Sequence, residues 1–211
     1  MTDLPEPLAE RWTTLGTRVG ETSVLIVSIT AETTLYEPVD PSPLADAVAT
    51  DLPPRLLFAV DLEFSPPLSS VGVSPESVHS KAASTARDQF VDMIADAGVE
   101  VDGVRDELEF DGPEGTAGTW SVLDVTYPVD ADRPDDETNR IAGETDGIPA
   151  EAHVAVWPAG TTFGVAGGTL PLESLDDSGS LDDRSDAELE RDRERVSTLV
   201  RKLDLDGDEG E

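Results

Sequence analysis

Cysteine is absent from the 211 residues, lysine occurs only at Lys81 and Lys202, and side-chain amides occur only at Gln89 and Asn139. Without cysteine there is no disulfide, zinc–thiolate site, iron–sulfur cluster or thiol nucleophile. Positive charge is scarce as well: 14 Lys plus Arg stand against 46 Asp plus Glu, a formal net charge of −32. Phosphate recognition and adsorption to anionic lipid both depend on clustered Lys and Arg, so nucleic acid and membrane surfaces are not expected partners. The most apolar stretch, Val24 to Ile29, is far shorter than the roughly 20 residues of a membrane span. The opening MTDLPEPLAE is acidic and broken by Pro5 and Pro7, unlike a secretory signal, and the expected location is the cytoplasm.

What the chain has in excess is carboxylate, with arginine supplying nearly all of its cations. At molar salt the Debye length falls to about 3 Å, and the self-repulsion of such a coat largely disappears. In composition the whole chain resembles proteins of extremely halophilic archaea. A coat that serves solubility in brine says nothing about substrate, so most acids here carry no functional message.

Periodicity predicts the elements. Asp3 and Glu6 have capping-box spacing, and Leu4, Leu8, Trp12 and Leu15 recur at helical intervals, which predicts a helix over residues 3 to about 18. Ser23 to Tyr36 reads as a strand with Val27, Ile29, Ala31 and Leu35 on one side. Arg55 to Ser65 alternates, placing Leu56, Phe58, Val60, Leu62 and Phe64 inward and Leu57, Ala59, Asp61 and Glu63 outward. Ser74 and Pro75 open the clearest helix, which runs to Ala97 and stops at Gly98. Further strands are expected at 99–111, 119–129, 153–157 and 161–166, with an acidic exposed loop at 128–151.

The expected class is α+β, a single mostly antiparallel sheet of about five to six strands with an N-terminal helix, a long central helix and a C-terminal helix packed on it, the globular domain being residues 1–172. Residues 173–211 read as an acidic linker, an amphipathic helix and a disordered acidic tail. In that helix Ser185 and Glu188 form a capping box, and Leu189, Val196, Leu199, Val200 and Leu203 make a narrow apolar stripe that either docks back or recruits a protein partner. The element order resembles the sandwich of PsbP-type proteins of photosynthetic membranes. It implies helices on a sheet and, with no shared motif, nothing about activity.

Chemistry-bearing residues are few. His79 follows Glu76 by one helical step, half of a carboxylate-bridged metal site, but no second such pair exists. His153 shares strand parity with Ala155 and Trp157. Asp204, Asp206 and Asp208 alternate around Gly207 without the spacing or the closing Glu of a calcium loop. Gly164, Gly167 and Gly168 match neither a dinucleotide fingerprint nor a P-loop, and close packing explains them better. Asp61 and Glu63 share a strand face about 7 Å apart, a spacing compatible with acid and base roles. No cofactor, metal or catalytic residue is assigned on this basis. Two functions stay open: a non-catalytic interaction or accessory domain that uses the C-terminal helix (Leu189, Val196, Val200, Leu203), and a carboxylate- or metal-dependent enzyme with an Asp/Glu site.

Overall fold

Residues 4–24, 26–129, 147–175 and 181–203 are described by a computed structural model of the chain. A short helix α1 (Glu6–Ala9) leads into β1 (Trp12–Val24) and β2 (Val27–Pro38), followed by β3 (Leu56–Ser65), α2 (Pro75–Asp96), β4 (Glu100–Asp111), β5 (Ala117–Tyr127), β6 (Ile148–Ala159) and β7 (Thr162–Pro171). A small ribbon of β8 (Glu173–Leu175) and β9 (Leu181–Asp183) precedes the last helix, α3 (Asp186–Lys202). The seven long strands form one sheet in the order β1-β2-β3-β7-β6-β5-β4. Every neighbouring pair in it is antiparallel. The α+β class holds, with seven strands in the main sheet. No helix among the described residues is long and apolar enough to cross a membrane.

The helix expected over residues 3–18 is one turn long. Pro5 and Pro7 start it, but from Trp12 onward Thr13, Thr14, Thr17 and Val19 are β-branched, and Gly16 and Gly20 interrupt the run. Pairing with β2 along the whole of β1 overrides the helical spacing of the leucines. Leu8 and Trp12 are buried all the same. The apolar run at 24–29 straddles a hairpin turn.

Strand parity then sorts the core into two layers. On one face Leu56, Phe58, Leu123, Val154 and Val156 meet Phe90 and Ile94 of α2, and Phe58 stacks on Phe90 with ring centroids 4.9 Å apart. Ser74, Pro75 and a left-handed Gly98 (φ 91°) delimit α2 as its sequence predicts. The opposite face of β3 is not wet where it was expected to be. Leu57 and Ala59 are buried with Ala155, Trp157, Ala166 and Leu170 beneath α3. A sheet covered on both faces reads as an apolar run, as β6 and β7 do.

The C-terminal stripe docks back. Val196, Leu199, Val200 and Leu203 are buried in this second layer, and Leu189 is half-buried. At its start the Ser185 backbone N–H donates to Glu188 Oε2 at 3.1 Å, completing the expected capping box. The expected loop at 128–151 ends sooner, because Ile148 already begins β6. Its middle, 130–146, lies outside the described residues.

Two glycines of β7 hold the layers together by what they lack. A Cβ on Gly164 would fall 2.1 Å from the Trp157 ring, which lies across it, and one on Gly167 would fall 1.9 Å from the backbone oxygen of His153. The indole can shift, whereas the neighbouring strand cannot without breaking its ladder. Gly167→Ala should therefore lower stability by about 3 kcal/mol, more than Gly164→Ala, as read from urea midpoints in molar salt. Removal of residues 186–203 would uncover Trp157 and Leu57, and the remaining chain should lose its cooperative unfolding transition.

Candidate functional site

The polar groups that converge lie beneath and beside α3, around two buried carboxylates. Glu151 and His153 sit on the α3 face of β6, in line with Ala155 and Trp157. Asp124 and Trp120 share that face on neighbouring β5, opposite Glu151 and Ala155 respectively. The side chain of Glu151 is only 3% exposed.

Glu151 is surrounded by donors. Its Oε1 accepts from Arg105 and from Arg193 Nη2 at 2.8 Å, and its Oε2 accepts from Arg193 Nε at 3.0 Å. His153 Nε2 lies 3.3 Å from Oε2. The Trp120 indole N–H, which can only donate, points at His153 Nδ1 at 3.0 Å. That contact requires an unprotonated Nδ1 and assigns the ring proton to Nε2, facing the carboxylate. Arg105 extends the string to Asp124. Burial pushes the Glu151 carboxyl up, but the hydrogen bonds of His153 and Arg193 and the charge of Arg193 more than offset it, so the group is held well below the usual carboxylate range.

Asp192 forms the second cluster from the inner side of α3. Its Oδ2 lies 2.8 Å from both Arg55 Nη2 and Arg184 Nη2, while Oδ1 pairs with Arg195 one turn along the helix. Arg184 is itself buried and donates to the carbonyls of Pro171 (2.9 Å) and Glu188 (3.4 Å). One guanidinium thus ties the end of β7 to the start of α3. Among the described residues, five arginines converge on two carboxylates.

These clusters are built to hold. A glutamate with both oxygens engaged by two guanidinium groups and an imidazole cannot accept a proton without giving up a partner. Two recesses, one lined by Pro41, Leu44, Pro53 and Pro54 and the other by Trp12, Arg55, Asp192 and Arg195, each enclose about 10 Å³, the room of one water. Buried Tyr127 donates to Thr169 Oγ1 at 3.1 Å, and burial pushes its phenol up to about 12.

The residues singled out from sequence do not come together. His79, half-buried on α2, donates from Nε2 to the carbonyl of Val156 at 3.1 Å, on the face opposite His153. Asp61 lies across from Glu32 and Glu63 across from Thr30, on the end of β3 beyond its pairing with β7. The Asp204, Asp206 and Asp208 series lies outside the described residues. Among the described residues no group of three or more His, Asp or Glu is arranged to hold a metal. Sequence reasoning missed Glu151 and Asp192. The first was placed in a solvated loop, though its parity with His153 and Trp157 in an apolar run marks it as inward-facing. The second has acid–Arg spacing to Arg195 three residues on, and that pair forms, but the spacing gives no sign of Arg55 and Arg184.

A family model described as a domain of unknown function (DUF6517) matches residues 9–204. The chain belongs to this family. No curated protein and no solved structure matches it. The DUF6517 match runs from the end of α1 to just past α3, so it spans the helix together with the sheet that it covers.

Two measurements check the holding role. Asp192→Ala leaves Arg184 buried without its counter-charge and should cost about 3–5 kcal/mol, read by urea unfolding in molar potassium chloride. Glu151 has a lowered folded-state pKa, so its contribution is complete above its ordinary value near 4.5 and is lost as the pH falls below it. Glu173, raised by burial and then by Asp183, acts in the opposite direction. Glu151→Gln should therefore flatten the loss of stability of the wild type below about pH 4.5, while Glu173→Gln leaves that loss in place.

Proposed function

We propose that the chain is a non-catalytic interaction domain working in the cytoplasm of a cell that keeps molar salt, and that it meets its partner through the edges of its sheet. The observation that carries this reading is where exposed apolar surface lies. Among the described residues the exposed large apolar side chains are Leu15, Val19, Ile26, Val39, Val104 and Leu108. Leu15 and Val19 belong to β1, Ile26 to the turn after it, Val39 follows β2, and Val104 and Leu108 belong to β4. Each lies on or beside an outermost strand of the sheet.

β1 and β2 form a long hairpin. Beyond Val60 the backbone ladder between β3 and β7 ends, but Thr162 Oγ1 still donates to the Leu62 carbonyl and Phe64 meets Phe163, so the hairpin tip at Ile26 lies beside a packed end of the sheet. The apolar residues of α3, the other contact element considered, are covered by the chain's own sheet. A partner reaching Val196, Val200 or Leu203 would have to lift the helix off two arginine–carboxylate clusters. The two buried carboxylates, Glu151 and Asp192, are each met by arginine.

Capture from a lysate kept at molar salt tests this reading. Full-length Ile26→Asp, altered at a residue 75% exposed, should retain the wild-type unfolding midpoint and lose the proteins that the wild type retains. An unchanged set of retained proteins would overturn an interaction surface at the hairpin tip.

A further inference from the structure

The two edges of the sheet are built differently. β4 carries Glu100, Asp102, Asp106, Glu107, Glu109 and Asp111, has two register breaks against β5, and contains Gly103 at φ 152°. Charges and bulges of this kind keep an edge from pairing with another chain. β1 has neither protection over most of its length. Its thirteen residues hold one cation and one acid, Arg18 and Glu21, and beyond the single break at Thr14/Gly16 it runs regularly from Gly16 to Val24. A neutral segment of nine regular residues is conspicuous on a chain of net charge −32.

The geometry points to a second copy of this chain as the occupant of the β1 edge, paired antiparallel about a two-fold axis at Val19. The inference rests on the interaction reading above and names its partner. Charge selects the occupant: two copies repel wherever carboxylates meet, and β1 is an edge along which they approach without that penalty. In this register Val19, 65% exposed, faces its symmetry mate. Thr17 stands opposite Glu21 of the other copy, Arg18 opposite Gly20, and Gly16 opposite Thr22. No like charges are directly opposed. A Cβ on Gly16 or Gly20 would meet nothing within 4 Å, so the Arg18 stem of the other copy has open space to cross. Pairing would join the two sheets into one and satisfy the outer backbone groups of both strands.

The absence of native cysteine supplies the test. In molar potassium chloride the full chain should sediment at about twice 22.4 kDa, and Val19→Asp should sediment as a monomer with an unchanged circular dichroism spectrum. Val19→Cys should form a disulfide-linked dimer on mild oxidation, since opposed residues across an antiparallel pair lie within disulfide reach. Leu108→Cys, on the protected edge, should not. A wild type that sediments as a monomer, or a Leu108→Cys that cross-links as fast as Val19→Cys, would overturn self-pairing. If that monomer still loses its retained proteins on Ile26→Asp, self-pairing alone fails. If it retains the same proteins, the interaction reading fails as well.

Discussion

The attachment of α3 to the sheet by arginine contacts to two buried carboxylates is the constraint on which the rest of this fold depends. An exposed ion pair loses most of its attraction at molar salt, whereas a pair shielded from solvent is screened far less. Among the described residues, Arg55, Arg105, Arg184, Arg193 and Arg195 all meet the two buried carboxylates. Arg55 and Arg184 reach Asp192 from the sheet side and the helix entry, and Arg105 and Arg193 reach Glu151 from opposite sides. Apolar burial of Val196, Leu199 and Val200 supplies the general attraction, and the ion pairs fix where along β6 and β7 the helix comes to rest.

Much of the architecture is legible in the sequence because it is periodic. α2 announces itself through Ser74, Pro75, a continuous inward stripe and Gly98, and α3 through Ser185, Glu188 and its leucines and valines. β1 was hidden because Leu4, Leu8, Trp12 and Leu15 happen to fall at helical spacing, while its threonines form an edge strand exposed on both faces, which has no alternation to betray it. The covered face of β3 was hidden for a different reason. Leu57 and Ala59 signal burial only once α3 is known to lie above them, and that docking joins parts of the chain well over a hundred residues apart.

The convergent polar groups were harder still to see. Asp192 is one acid among many along an acidic helix, and although it falls on the apolar stripe between Leu189 and Val196, unlike Glu190 and Glu194, which face solvent, its spacing does not name the groups that would meet it. The arrival of Arg55 and Arg184 is a tertiary fact. The glycines of β7, by contrast, were legible as sites of close approach. Trp157 lies across Gly164, and the backbone of β6 passes against Gly167.

Because α3 covers one face of the central strands and α2 the other, the exposed large apolar side chains lie on or beside the outermost strands, and those edges differ in charge, regularity and exposed apolar surface. That asymmetry follows from the docking of α3, so the docking is the claim to test first. Backbone hydrogen exchange in molar potassium chloride measures it directly. Amides of α3 should exchange with the same opening free energy as those of β6 and β7, as one cooperative unit. Exchange of α3 through a much cheaper opening of its own, while the sheet stays closed, would contradict the account.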